Sequence, residues 1–474
     1  MSYTGSTRRA FIKHLAAGAA CMYTHFSCSP TKQHKPNIIY ILADDLGYGD
    51  LGCYGQKNIQ TPNLDQIAAE GMKFTDHYAG STVCAPSRCC LMTGKHTGHA
   101  RIRGNANVPL RPDDITVAEI LKQAGYSTAL IGKWGLGEAG TTGIPNKKGF
   151  DLFFGYLNQI RAHNYYPTFL WHNQGKMPMD NEVVIAQEGY SKGIGSAATV
   201  RHDYSHDLFT EKAHSFIQEH SNNPFFLYLA YTIPHANNEH HLVDQHGMEV
   251  PEYGMYKDAD WPEAQKGHAA MITRMDRDIG NLIKQLKELG IDEQTVIMFS
   301  SDNGPHAEGG NDPAFNDSNG PLRGIKRDLY EGGIRVPMIA RWPGHIPANS
   351  STDLPSAFWD VLPTCAELAG VPAPEDTDGI SFMPTLLGQT EKQKKHEYLY
   401  WEFHWWKPTR QAVRMNRWKG LRDTPDSDIE LYDLSVDISE EHNIAADHPD
   451  IVQQIETIMN TAHTTSDNWS MKHK

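Results

Sequence analysis

At 474 residues the chain is long enough for one large α/β domain and a smaller second one. A net charge of −14 excludes a general nucleic-acid surface, so an anionic ligand would need a local cationic pocket working against the global field. Seven cysteines at irregular spacing make neither a disulfide framework nor a paired C-x-x-C zinc site.

Residues 1–35 read as an export signal and linker. Thr7-Arg8-Arg9-Ala10-Phe11-Ile12-Lys13 resembles a twin-arginine signal, and the apolar run Leu15 to Tyr23 has the length of a signal core, too short to span a bilayer. The expected location is therefore periplasmic or at the cell surface, with no transmembrane span. Cys28, in Phe-Ser-Cys-Ser, is a candidate lipid anchor, although the residues before it, like those before Cys21, fit a lipobox poorly. A disordered basic tail is the competing reading.

The fold is expected to begin at Pro36. Asn37 to Ala43 is a continuous apolar, β-branched run, the pattern of a buried parallel strand, and it ends in Asp44-Asp45. Carboxylates there lie where open α/β sheets place their sites; an N-cap and turn pair is the plainer reading. Thr61-Pro62-Asn63 starts a helix running to about Gly71.

Cys84-Ala-Pro-Ser-Arg-Cys-Cys-Leu-Met-Thr-Gly-Lys95 reads as a loop entering a helix. That puts Cys84 at a helix N-terminus, with Arg88 one turn on. Cys84 is then either a small buried thiol or a thiolate nucleophile with a lowered pKa. The following loop carries His96, His99, Arg101, Arg103 and Asn105.

Thr116-Val-Ala-Glu119 is a capping box opening a helix that ends at Gly125. Ser127 to Ile131 is the next strand and runs into Gly132-Lys133-Trp134-Gly135-Leu136-Gly137. His163-Asn164-Tyr165-Tyr166 lies in an aromatic loop. Asp207 to His220 reads as an amphipathic helix, and the strand Phe225 to Tyr231 leads to Ile233-Pro234-His235. Residues 236–262 are His-rich, with Glu239-His240-His241 at no regular ligand spacing, and read as a mobile loop near the pocket. Met271, Met275, Ile279, Leu282, Ile283 and Leu286 mark the core face of a helix spanning Ala269 to Leu289.

Thr295 to Ser300 is another buried strand, and it ends in Ser301-Asp302-Asn303-Gly304. Leu322-Arg-Gly-Ile-Lys326 through Arg335-Val-Pro337 precedes the strand Val336 to Arg341. Ser356 to Gly370 is expected as a helix that Pro363 kinks or restarts. Tyr398 to Trp406 and Gln411 to Arg422 read as antiparallel strands, and Pro449 to Ala462 as a closing helix.

Cys84-x-Pro-Ser-Arg88 followed by Leu-x-Thr-Gly resembles the signature of the type I, formylglycine-dependent sulfatases, arylsulfatase-like members of the alkaline phosphatase superfamily. The Asp44-Asp45, Lys133, Asp302-Asn303 and Lys326 segments resemble that family too, so the likeness covers nearly the whole mature chain. It implies that Cys84 is oxidised by a maturation enzyme to 3-oxoalanine (formylglycine), whose hydrated aldehyde is the nucleophile. Asp44, Asp45, Asp302 and Asn303 offer only oxygen ligands, which select calcium or magnesium over zinc. The resemblance points to calcium, with the modified Cys84 completing the shell. Arg88, Lys133 and Lys326 would hold the sulfate, His235 would protonate the leaving alcohol, Asp302 would accept a proton, and His163 would bind substrate.

The sharpest departure is Gly135, where the family has a histidine that faces the sulfate. His99 is the candidate to replace it on sequence position, with water or His235 as alternatives.

The expected architecture is α/β: a large mixed, mostly parallel sheet flanked by helices (residues 36–390), and a small C-terminal antiparallel sheet-plus-helix subdomain (residues 391–474). The expected activity is hydrolysis of a sulfate ester, on a carbohydrate whose rings would stack on Tyr165, Tyr166, Trp171, His404, Trp405 and Trp406. The alternatives are a phosphonate monoester or phosphodiester hydrolase of the same superfamily, and a catalytically silent sulfated-glycan binding protein, which Gly135 alone supports.

Overall fold

Four apolar runs make the centre of the sheet: β1 (Asn37–Ala43), β2 (Ser127–Lys133), β3 (Phe225–Ala230) and β4 (Thr295–Ser301). They lie in the order β4-β1-β3-β2, all parallel, with Ile41 beside Leu229 and Phe299. Beyond β2 come 152–156, parallel, then 169–172 and 175–178, antiparallel. Beyond β4 come 338–341 and 72–74, antiparallel, and the edge strand 350–352, so the sheet has ten strands. The structure is a computed structural model and describes residues 1–2, 35–243, 245–404 and 408–473. The export-signal residues Arg8, Arg9, Cys21 and Cys28 lie outside these, as do Trp405 and Trp406. Among the described residues no helix is long and apolar enough to cross a membrane.

Strand alternation divides the core. Ile38, Tyr40 and Leu42 point to one face, where they join Leu91 and Met92 of the helix α1 (Cys84–Thr93). Ile39 and Ile41 point to the other and meet Met271, Met275, Ile279 and Leu282 of the long helix Glu263–Glu288. Each such side chain contributes about 1.5–3 kcal/mol by leaving water. With both faces covered, β1 has no polar face, which is why its sequence does not alternate.

The capping box closes as its sequence requires: Glu119 donates its N–H to the Thr116 hydroxyl, and Thr116 donates its N–H to the Glu119 carboxylate. Two spans and one hairpin differ from the sequence reading, besides the long helix, which begins at Glu263 and not Ala269. The helix expected from Ser356 starts only at Val361, after a two-residue strand and a 3₁₀ turn. Pro363 therefore sits in the first turn, where its missing N–H costs no helical bond, and it neither kinks nor restarts the helix. The run Gln411–Arg422 is two strands, because Asn416 (φ 53°) turns the chain back in a hairpin. The hairpin Glu182–Ile185/Ser196–Val200 was not anticipated at all.

The C-terminal sheet is β5 (Leu399–Phe403), β6 (Arg410–Met415), β7 (Trp418–Arg422) and β8 (Glu430–Asp433), antiparallel in chain order. The helix Pro449–Thr461 covers it through Ile455 and Met459. Its other face enters the main core, where Trp401, Phe403 and Leu421 join the cluster of Tyr40. Charged groups fasten the join. Lys419 Nζ lies 2.9 Å from Glu331 and 3.0 Å from Glu440, and all three side chains are buried. Arg414 pairs with Asp76 at 3.1 Å, and Arg410 donates to the Arg327 carbonyl at 2.9 Å. Lys419→Ala takes from buried Glu440 its cation, while Glu331 keeps Arg335 at 3.1 Å, so a loss of about 3–5 kcal/mol is expected in a denaturant midpoint. A loss below about 1 kcal/mol would mean that solvent reaches this pair.

Candidate functional site

All four central strands deliver a polar group at their carboxyl ends, on the same edge of the sheet. β1 runs into Asp44 and Asp45, β2 ends in Lys133, β3 leads through Ile233-Pro234 to His235, and β4 leads to Asp302 and Asn303. Asp45 turns away in a left-handed conformation (φ 64°), and its N–H donates to Asp302 Oδ1 at 3.1 Å. The strand-end positions were legible because each follows an uninterrupted apolar run.

Every one of these groups is buried, and each cation has its carboxylate. Lys133 Nζ donates to Asp44 Oδ2 at 2.6 Å. Arg88 donates twice to Asp302 Oδ2, at 3.0 and 2.8 Å. Lys326 Nζ donates to Asp45 Oδ2 at 2.7 Å, to His235 Nε2 at 3.1 Å and to Glu308 Oε2 at 3.1 Å. His235 donates its Nδ1–H to the Ala236 carbonyl at 2.6 Å, which leaves Nε2 as the acceptor facing Lys326. Burial, and next the Lys326 charge, push His235 well below its ordinary pKa, so the ring is neutral. Tyr165 is not a sugar platform: it is fully buried, and its hydroxyl donates to the Thr232 and His235 carbonyls at 2.7 and 2.5 Å, fixing the His235 turn.

Cys84 is the first residue of α1, as its motif predicts, and its sulfur lies within 4.8 Å of ligand atoms of Asp44, Asp45 and His235. The thiolate reading does not survive this placement. Burial outweighs the helix end and the nearby lysines and pushes the thiol up to about 12, with Asp44 and Asp302 adding to the shift. Among the carboxylates, burial raises all three, but the Lys133 and Arg88 charges hold Asp44 below the ordinary range and Lys326 does the same for Asp45. Asp302, raised by burial and by the Asp44 charge, goes up to about 7.

Two buried oxygens, Asp44 Oδ1 and Asn303 Oδ1, have no hydrogen-bond partner. With Asp45 and Asp302 they make an all-oxygen donor set that suits a hard divalent cation.

A cavity of about 740 Å³ opens over Cys84, His235 and Lys326. His163 lines it, stacked on His235 at 4.8 Å between ring centroids and bonded through Nδ1 to Glu239 at 3.0 Å. The loop 236–262 contributes Glu239, His241 and Leu242, as a pocket wall. Gln159, Tyr190 and Arg327 also line it, and sequence reasoning missed all three. Only Arg327 carried a local signal, as the neighbour of Lys326. Glu308, which pairs with both Lys326 and Arg327, was missed as well.

His99 is elsewhere. It lies past the far end of α1, stacked on His96 and bonded through Nδ1 to Asp378 at 2.8 Å, and it does not line the cavity. It therefore does not take the place of a side chain at Gly135. Tyr166, Trp171 and His404, expected to stack on sugar, do not line the cavity either. Tyr166 is buried, His404 is buried against Glu402 at 2.9 Å, and Trp171 lines a separate small cavity.

Comparison with known proteins supplies a second line of observation. The Sulfatase family model matches residues 36–371, and the model for the C-terminal region of N-sulphoglucosamine sulphohydrolase matches residues 325–465. The chain is 31% identical over 496 aligned positions to N-acetylgalactosamine-6-O-sulfatase of Bacteroides thetaiotaomicron, covering 91% of this chain and 93% of the relative. It is 35% identical over 389 positions to human arylsulfatase A, covering 77% and 70%. Among solved structures it resembles Ps i-CgsB in complex with k-i-k-neocarrahexaose, with a TM-score of 0.77, 30% identity, and coverage of 93% and 95%.

Proposed function

The chain is a sulfuric ester hydrolase of the sulfatase family, in the alkaline phosphatase superfamily, and we propose that it desulfates a carbohydrate through formylglycine made from Cys84, beside a calcium ion. One observation carries the reading: a buried Cys84 converges with Asp44, Asp45 and His235 beneath a cavity lined by Lys326. A relative named N-acetylgalactosamine-6-O-sulfatase, and a neighbour solved in complex with k-i-k-neocarrahexaose, support the choice of substrate class.

The calcium ion would be held by Asp44, Asp45, Asp302 and Asn303 and would supply Lewis acidity toward a sulfate oxygen and the nucleophile. The two partnerless oxygens fit that role. Formylglycine would supply two geminal hydroxyls, one to attack sulfur and one whose loss of a proton expels sulfate and restores the aldehyde. The remaining work falls to side chains already in place. Asp44, Asp45, Asp302 and Glu308 balance Arg88, Lys133, Lys326 and Arg327 in formal charge. A dication would therefore leave this centre positive, a local reversal of the −14 of the whole chain.

Lys133 and Lys326 then hold the sulfate oxygens and stabilise charge that grows as the S–O bond breaks. His235 faces the leaving oxygen as a neutral base whose Nε2 already accepts from the Lys326 ammonium. A proton relayed from Lys326 through Nε2 is what the departing alkoxide requires. Tyr190, 65% exposed on the loop after Glu182–Ile185, is positioned on the cavity rim to stack on a sugar ring.

The test is sulfate release from a panel of position-defined sulfated monosaccharides, 4-nitrophenyl sulfate and bis(4-nitrophenyl) phosphate, using protein from a maturation-competent host. Release from one sugar isomer is the expected result. Turnover of the phosphodiester above every sulfate ester would transfer the site to the phosphodiesterase reading. Binding without release, by protein that carries formylglycine, would favour a silent glycan binder.

A further inference from the structure

Gly135 has no side chain, and the space one would fill is taken. A Cβ built on Gly135 would lie 1.6 Å from Gln159 Nε2 and 2.5 Å from its Cδ. The backbone there is left-handed (φ 83°), so glycine suits the turn and leaves a notch, and the Gln159 amide fills it. Neither Nε2 nor Oε1 of Gln159 has a hydrogen-bond partner, and both atoms are buried. A buried primary amide without a single partner is unusual in a native fold.

Its surroundings are those of the reaction centre. Gln159 lines the cavity that holds Cys84, His163, His235 and Lys326, and also a smaller one of about 50 Å³ shared with Asn105, Gly135 and Tyr190. Its backbone is fixed, because Asn158 Oδ1 accepts from the N–H groups of Ile160 and Arg161 at 2.9 and 3.1 Å. The side chain has three rotatable bonds and nothing in the notch bonds to its end, so a rotamer change carries the amide to the cavity wall.

We propose that Gln159 is a specificity-determining residue that reads a neutral hydroxyl of the alcohol part of the ester, beside the sulfate; this rests on the sulfatase reading above. The choice of hydroxyl over sulfate follows from donor–acceptor bookkeeping. Sulfate oxygens only accept, so they would satisfy Nε2 and leave Oε1 bare. A hydroxyl, or a vicinal pair, both donates and accepts, and satisfies both ends of the amide. The anionic oxygens already have the cations assigned to them on that reading, with Lys326 in the cavity wall. A site that hydrogen-bonds a substrate hydroxyl discriminates strongly against analogues that lack it, because its own polar group is then stranded.

The experiment compares Gln159→Ala and the shape-conserving Gln159→Met with wild type in the formylglycine-bearing enzyme. Three quantities are read: kcat/KM on the best sulfated monosaccharide of the panel, Ki for inorganic sulfate, and melting temperature. The expected result is a fall in kcat/KM of about 10- to 100-fold, with Ki for sulfate changed less than about twofold and no loss of melting temperature, since no protein hydrogen bond is removed. Unchanged kcat/KM in both variants would overturn the proposal. So would a parallel rise in Ki for sulfate, which would move Gln159 onto the sulfate itself. Failure of the wild-type enzyme to release sulfate from any sugar is a separate outcome, one that removes the carbohydrate reading and this proposal with it.

Discussion

Cys84→Ala abolishes sulfate release, by at least about 10⁴-fold, and leaves the melting temperature within a few degrees of wild type. The two halves of this expectation come from the same placement. Cys84 is buried at the first position of α1, beside Asp44, Asp45 and His235 at the cavity, and belongs to none of the apolar core clusters. Removing one buried sulfur costs about 1 kcal/mol, a small part of the stability of a core this large. The measurement pairs sulfate release with the mass of the peptide carrying residue 84. The formylglycine mass is expected in active protein and the cysteine mass in inactive protein. Full turnover by protein with an unmodified Cys84 would defeat the reading, and it would also conflict with a thiol that burial has pushed up to about 12.

Treatment with a calcium chelator stops turnover and lowers the melting temperature, and added calcium restores both. The ion-free centre places Asp44, Asp45 and Asp302 together out of water and leaves Asp44 Oδ1 and Asn303 Oδ1 unsatisfied. An ion that binds only the folded chain adds about 2.7 kcal/mol at one hundred times its Kd, so the shift should be plain in a melting curve and should depend on free calcium. Zinc is expected to restore less than calcium, since the oxygen set does not favour a borderline-soft ion. The melting curve matters because it reads binding without reference to catalysis. A melting temperature indifferent to the chelator and to added calcium would remove the ion from this site.

Much of this was legible in the sequence because it was local. Asp44, Lys133, His235 and Asp302 each follow an apolar run long enough to be recognised as a buried strand, and parallel strands bring their ends to one edge. The helix start at Cys84 and the Thr116–Glu119 box rest on chemistry within a few residues. What failed was distance. His99 follows Cys84 closely in sequence, but the ten residues of α1 carry the chain about 15 Å along a helix axis. Gln159 could not be seen, because its relation to Gly135 exists only once two separate loops are packed together. The hairpin bearing Tyr190 escaped because its strand Glu182–Ile185 is short and largely exposed, with Val183, Val184 and Ile185 in a run that shows no alternation. The aromatic residues of the 163–171 loop misled for the opposite reason: most of their bulk serves the core.

The bond from Arg410 to the Arg327 carbonyl has a consequence for how such chains can be recombined. Arg327 follows Lys326, so the C-terminal sheet braces the backbone of the segment that carries this buried cation. Trp401, Phe403 and Leu421 are cemented into the same core as β1. A chimera that takes everything after residue 390 from another family member would exchange none of the groups around Cys84, yet it would change what that cation leans on. Swapping the tail is therefore a way to tune the reaction, and the tail is not a freely exchangeable part.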